Sequence, residues 1–361
     1  MTDLLSKPDL LGGKGATARL ACWLRQEAGV AVADPAAIAV EVPAGGWSNE
    51  TAILRVGERR PVLRTVPSRL SMFPTYDLGR EVAVLAALGR CDRPPVPRLL
   101  GHDPEGRVLG RPFFAMDFVA GQVPSDSKPG YAEAGWLAEA PLAAQGRFWA
   151  DFVDCLAAVH RCDWRGEGLS VLAPPAGRSS LDAQLDWLEG LYAWSAAPQP
   201  EIDAGLAAVR AARPRAPGPD RLLWGDARPA NVLVADFHVA ALLDWEMAAI
   251  GPAEMDVAWL LEMHRLRTAG AGIVAPAGFP DEEGIVSLYE TASGRRLQDL
   301  TWYRLFAAVK VAVLMYRHLV VAIDRDMLTP GHRLLRENVA TRRIAALLAA
   351  QDRRQNEAIP R

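Results

Sequence analysis

The chain has 361 residues, half of them apolar and 23% charged, with 40 basic against 43 acidic side chains for a net charge of −3. That balance describes a globular protein with a substantial core, long enough for two lobes or domains. It excludes the basic field that draws nucleic acid or anionic membrane, and four cysteines (Cys22, Cys91, Cys155, Cys162) without a CxxC pair argue for reduced thiols rather than a disulfide framework.

The opening MTDLLSKPDLLGGKGATARL carries Asp3 and Asp9 and no long apolar stretch, so no secretory signal is expected. Its LGGKGAT superficially resembles a P-loop, but the spacing is wrong and no strand precedes it. Residues 1–34 form an N-terminal extension with a helix over 15–28, where Leu20, Trp23 and Leu24 share one face. Residues 35–119 read as a β-rich lobe. IAVEVPAGGWSNETAILRV is strand, glycine turn, strand, and RRPVLRTVP is a third strand. A helix over 77–90 places Leu78, Val82, Leu85 and Leu88 on one side, and two further strands flank the turn DPEG. A hinge is expected near 117–121. Residues 120–361 are Ala- and Leu-rich, with helices at 141–160, 179–195, 200–212, 254–268, 281–291, 299–323 and 332–351. The clear strands of this half are LLWGD, NVLVA and VAALLDW. The fold class is α+β, with a small β-rich N-lobe and a larger helical C-lobe. LFAAVKVAVLMYRHLVVAI is interrupted by Lys310, Arg317 and His318 and falls short of a membrane span, so a cytoplasmic location is expected.

One stretch, LLWGDARPANVLVADFHVAALLDWEM, punctuates strand-like runs with polar residues at regular intervals. NVLV-ADFH-VAALLDW reads as a hairpin, which sets Asn231 at the start of one strand beside Asp244 at the end of its neighbour. An amide oxygen and a carboxylate converging there suit a hard cation such as Mg²⁺, which keeps some waters and takes further oxygens from phosphates. Asp226 follows a glycine on the loop leading to the same end, where a carboxylate can accept or orient a hydroxyl proton. Taken singly, each of these residues also fits a helix cap or a surface turn.

WGDARPAN followed by LLDWE resembles the catalytic loop of the aminoglycoside phosphotransferase and choline kinase-like family, relatives of protein kinases. It is most similar to the branch resembling the kinase-like domain of some acyl-CoA dehydrogenases, whose loop carries an Arg where Arg228 stands. The resemblance covers about residues 35 to 330 and implies a two-lobed protein-kinase-like fold. It implies transfer of the γ-phosphate of ATP to a small-molecule hydroxyl, with Asp226 as base and Mg²⁺ held by Asn231 and Asp244. Asp256 matches a family Asp that serves the fold. Trp224 departs from the pattern, standing where the family has His; an indole N–H donates but neither accepts nor titrates.

The resemblance also makes demands of the small lobe. Gly45, Gly46, Ser48 and Asn49 supply a turn able to cover phosphates with backbone N–H groups. Arg64 is the cation on the third strand, and Glu81 the acid that holds it; an ordinary surface ion pair is the alternative for these two. Met116, Asp117, Phe118 and Val119 form the hinge that contacts adenine through the backbone.

Elsewhere, His160 reads as a structural hydrogen-bonding residue, and the other histidines lack the spacing of a zinc site. Trp187, Tyr192 and Trp194 fit either an acceptor pocket or helical core packing. Glu246 and Arg228 fit substrate contacts or a surface salt bridge. Helices rich in Ala, Leu and Trp favour an acceptor with an apolar part, such as a hydroxylated acyl compound, over a polycationic one. The alternative to an enzyme is a nucleotide-binding pseudo-kinase with a regulatory or scaffold role, for which Trp224 is the only sequence support.

Overall fold

Period-two alternation in the N-terminal half separates two faces of one antiparallel sheet. The structure, a computed structural model, describes residues 15–43, 48–68, 70, 72–195 and 197–357. Five strands, β1 (Ala39–Glu41), β2 (Glu50–Arg55), β3 (Val62–Thr65), β4 (Leu99–Asp103) and β5 (Phe113–Met116), assemble in the order β1-β2-β3-β5-β4. Ala52 and Leu54 of β2, Leu63 of β3 and Phe113 and Ala115 of β5 point to one face. There they bury against Leu20, Trp23 and Leu24 of helix α1 (Ala16–Gln26). The N-terminal helix is thus part of the small-lobe core, and Trp23 meets Phe113 edge to face at 4.7 Å. The other face carries Val62, Arg64 and Phe114 toward a cleft and toward helix α2 (Leu78–Leu88). Asp77 caps α2, accepting from the Gly79 N–H at 2.9 Å.

After residues 117–121 the chain enters the helical lobe, and Gln122 exchanges two 2.9 Å backbone hydrogen bonds with Val234. The lobe contains α3 (Leu142–Arg161), α4 (Ser180–Ser195), α5 (Pro200–Ala211), α6 (Glu254–Arg267), α7 (Glu282–Ser293), α8 (Leu300–Asp324) and α9 (Val339–Glu357). The hairpin is present as β7 (Val232–Ala235) and β8 (His238–Leu242), registered Val232 to Leu242. Asp236 and Phe237 both have positive φ (49° and 61°), the two-residue turn whose twist matches a hairpin.

Three details differ from the sequence reading. VAALLDW leaves the strand after Leu242, because Asp244 takes a left-handed conformation with φ 63°. A fourth strand in this half, β9 (Ala249–Pro252), pairs with β6 (Asp220–Leu223). Four residues containing Gly and Pro carry little strand signal of their own, so the partner decides. The last helix starts at 339 rather than 332, where Asn338 caps it by accepting from the Ala340 and Thr341 N–H groups at 2.9 and 3.1 Å. The sequence of α8 reads as too interrupted for a membrane span, yet a window of it has mean hydropathy 1.8 and is long and apolar enough by length and composition. In the fold 67% of that window is buried, packed by α4, α5, α6 and α9.

Candidate active site

The loop after β6 is held in place before any chemistry is considered. Gly225 has φ 84°, and a Cβ there would run into the Met247 carbonyl, so glycine alone fits. Asp256, in the first turn of α6, accepts from the backbone N–H groups of Trp224 and Gly225 at 2.7 and 2.9 Å. His160 Nε2 lies 3.1 Å from the same carboxylate, while its Nδ1 meets the Tyr289 hydroxyl at 2.7 Å. The indole of Trp224 donates to the Leu243 carbonyl at 2.8 Å, tying the loop to the end of the hairpin. From the opposite side, buried Lys310 donates to the Gly225 carbonyl at 2.8 Å. Each of these groups is buried and paired, as buried polar groups must be.

This framework presents Asp226, only 7% exposed. Its Oδ1 accepts from the Trp259 indole at 2.8 Å; its Oδ2 accepts from Arg228 Nε at 2.9 Å and Asn231 Nδ2 at 2.8 Å. Burial pushes this carboxyl upward, but Arg228, the hydrogen bonds from Arg228 and Asn231, and Lys310 together hold it below the usual range. Arg228 also pairs with Asp126, whose other oxygen meets Arg267 Nε at 3.2 Å. Among the described residues the Asn231 side chain bonds through its N–H₂, which leaves its amide oxygen as an acceptor. The Leu243 N–H donates to the Asn231 carbonyl at 2.9 Å, which sets Asn231 beside the residue preceding Asp244. That backbone contact brings the two ends of the hairpin together, as expected for adjacent strands.

Across the cleft, Arg64 reaches three carboxylates. Its Nε lies 3.2 Å from Glu81, its Nη2 bonds Asp244, and Glu246 is 3.8 Å away. Asn49 donates to Glu81 at 2.7 Å and to Glu246 at 3.3 Å, while Ser48 bonds Glu246 and Tyr76. Three acids around one guanidinium leave an excess of negative charge. Burial raises Glu81 to about 7, with Asp244 adding to the rise and Arg64 opposing it. Glu246 is raised well above the carboxylate range, by burial first and then by Asp244. Asp244 and the amide oxygen of Asn231 are oxygen donors of the kind a hard divalent cation takes, though among the described residues no group of three or more acidic, His or Cys side chains is placed to hold one. Arg64 and Glu81 have side-chain exposures of 12% and 3%, so their contact is not an ordinary surface ion pair.

Behind the charges lies a cleft of about 410 Å³ with an apolar lining that includes Val42, Ile53, Val62, Leu85 and Leu242. Ser48, Asn49, Arg64, Glu81, Met116, Asp117, Phe118, Val119 and Asp244 all border it. The Asp117 carboxylate is taken up by Arg98 and Arg59 at 2.8 and 3.3 Å, and the Phe118 ring is covered by Arg60. Gly45 and Gly46 lie outside the described residues. Asp226, Arg228 and Asn231 are bonded to one another and are not among the residues that border the cleft.

Four participants escaped the sequence reading: Trp259, Lys310, Asp126 and Arg267. Lys310 left a trace, a lone cation in the apolar run FAAVKVAVL, and Trp259 sits one helical turn after Asp256. Asp126 gave no local signal.

The model of the phosphotransferase enzyme family matches residues 39–286. Acyl-CoA dehydrogenase family member 11 of Rattus norvegicus is 25% identical over 253 residues, 68% of this chain and 31% of that protein. Family member 10 of Mus musculus is 24% identical over 284 residues, 75% of this chain and 25% of that one. The chain thus spans about a quarter to a third of the length of these curated relatives. Among solved structures, a candidate aminoglycoside phosphotransferase of Ralstonia eutropha superimposes with TM-score 0.70 at 22% identity, covering 92% of this chain and 95% of that one. Macrolide 2'-phosphotransferase MphH of Brachybacterium faecium does so with TM-score 0.54 at 20% identity, covering 93% and 98%. The solved structures establish the two-lobed kinase-like fold, and on the family match over residues 39–286 this chain belongs to the phosphotransferase enzyme family.

Proposed function

We propose that this chain transfers the γ-phosphoryl group of ATP to a hydroxyl of a small molecule. The observation that carries the reading is the contact of Asp244 with the Arg64–Glu81 pair on an apolar cleft, with the bonded Asp226–Asn231 pair tied to the same hairpin end through the Leu243 N–H and the Asn231 carbonyl. The cleft takes the base and sugar, with the backbone of Met116 to Val119 along its rim. Arg64 supplies charge to the phosphates, and Ser48 and Asn49 lie above them. Asn231 and Asp244 would hold Mg²⁺, which when bound neutralises phosphate charge.

In the transfer, the acceptor oxygen forms a bond to γ-phosphorus, the bond from γ-phosphorus to the bridging oxygen breaks, and ADP leaves. The hydroxyl proton passes to Asp226 and then to solvent. A carboxylate held below its ordinary pKa is a weak proton sink, so Asp226 acts first by orienting the hydroxyl and takes the proton late. Arg228 holds that carboxylate and screens it from the neighbouring acids.

The acceptor proposed is a hydroxylated compound with an apolar part. The Ala-, Leu- and Trp-rich helices of the C-lobe support this, and so does the acyl-CoA chemistry in the names of the curated relatives. The alternative of a nucleotide-binding pseudo-kinase loses its support from Trp224, whose indole and backbone N–H both hold the loop.

The test is thermal unfolding with ATP, with and without Mg²⁺, in the wild type and Asp244→Ala. Ligand at a hundred times its Kd adds about 2.7 kcal/mol. A shift that needs Mg²⁺ and fades in the variant is expected; no shift at millimolar ATP sinks the reading.

A further inference from the structure

We propose that Trp259 is a positioning residue that selects Oδ1 of Asp226 as the oxygen meeting the acceptor hydroxyl. The inference rests on the phosphotransferase reading and deepens it. An ionised carboxylate offers about two lone-pair sites on each oxygen. On Oδ2 both are used, by Arg228 Nε at 2.9 Å and Asn231 Nδ2 at 2.8 Å. On Oδ1 the Trp259 indole is the one donor among the described residues, at 2.8 Å, so one site stays open. The open lone pair therefore belongs to the oxygen that Trp259 holds.

The donor suits that task. An indole N–H gives a proton to the hydrogen bond and cannot take one, so it never competes with Asp226 for the acceptor's proton. It is also fixed. Trp259 sits on α6 one turn beyond Asp256, which grips the same loop, and the Lys310 ammonium lies 4.5 Å from its ring centroid. Lys310 in turn bonds the Gly225 carbonyl, so loop, indole and ammonium form one braced unit.

The experiment compares Trp259→Phe with Trp259→His, using Mg-ATP alone with water as acceptor and following ADP release. Trp259→Phe should lower kcat about tenfold to a hundredfold with KM for ATP within twofold, since only the orientation of Asp226 is lost. Trp259→His keeps a ring N–H and should recover part of that rate. A packing role predicts equal loss in both variants, and either that result or an unchanged kcat in Trp259→Phe overturns the inference. A second readout needs no turnover. In the ¹H–¹⁵N spectrum, assigned with Trp259→Phe, the Trp259 indole proton should move upfield in Asp226→Ala while the other indoles stay; an unmoved resonance also overturns it. If the wild type releases no ADP but the indole shift appears, the phosphotransferase reading fails, and with it the reacting-oxygen assignment, while the hydrogen bond stands.

Discussion

Lys310 donates to the Gly225 carbonyl at 2.8 Å from the interior of the C-lobe, directly behind the loop that carries Asp226. Burial brings its pKa down to about 8 from 10.5, against the opposing pull of Asp256 and Asp226. Below pH 8 the amine is charged in both folded and unfolded chains, and the cost of burying that charge is fully present. Between pH 8 and 10.5 the unfolded chain binds the proton and the folded chain does not, so stability rises with pH. The span corresponds to about 3 kcal/mol. Lys310→Met removes this term and adds a pH-independent cost of about 1–3 kcal/mol for the stranded carbonyl. Urea unfolding at pH 7.5 and pH 10 should show the variant losing ground to the wild type at the higher pH. A constant difference would mean that Lys310 is not buried as a cation.

Replacing Asp226 with Asn should reduce phosphoryl transfer by about 10²–10⁴ while nucleotide binding persists. Three N–H donors converge on this side chain, from Trp259, Arg228 and Asn231. An amide presents one acceptor oxygen, so one side of Asn faces donor against donor, and a loss of about 1–3 kcal/mol of stability should accompany the kinetic effect. Rates should be measured well below the unfolding midpoint of the variant. Transfer at the wild-type rate would remove Asp226 from the chemistry.

The chemistry of this site was most legible where it is local. Asp226, Asn231 and Asp244 lie within nineteen positions, and a two-residue turn at Asp236–Phe237 is enough to bring Asn231 beside Leu243, the residue before Asp244. Arg64 and Glu81 are legible through the family resemblance, which calls for a cation on the third strand and an acid on the next helix. What stayed hidden depends on distant packing. Asp126 meets Arg228 across 102 positions and Lys310 meets Gly225 across 85, and nothing near either residue marks the meeting. Trp259 looks like ordinary helix core until its indole nitrogen is seen against Asp226. β9 was missed for the same reason, since Ala249–Pro252 becomes a strand only because β6 lies beside it.

Asp256 has a different part from Asp226. It accepts two backbone N–H groups of the loop and faces His160, all within the buried interior. Asp256→Ala strands those donors, and a loss of about 3–5 kcal/mol is expected, in the range for breaking a buried polar pair. Asp256→Asn keeps one acceptor oxygen and should lose less. Unfolding in urea separates the two variants; an Ala variant within about 1 kcal/mol of wild type would show that the loop is held by other means.

Trp224 gives the last prediction, because it occupies the position where the family pattern has His. The ring is fully buried, 5.8 Å from Trp245 and 6.1 Å from Phe152, and its N–H reaches the Leu243 carbonyl at 2.8 Å. Trp224→Phe keeps most of the packing but strands that carbonyl, at about 1–3 kcal/mol. Since Leu243 adjoins Asp244, the Mg²⁺-dependent part of the ATP-induced thermal shift should shrink as well. Trp224→His leaves a void where the six-membered ring was, with a loss of about 2–4 kcal/mol. If the indole already does the work of holding the loop, the histidine variant gains nothing in turnover and runs no faster than wild type with Mg-ATP. A rate ten times higher in Trp224→His would reverse the argument: the tryptophan would then be a brake on transfer, and the chain a nucleotide-binding protein whose natural state is slow.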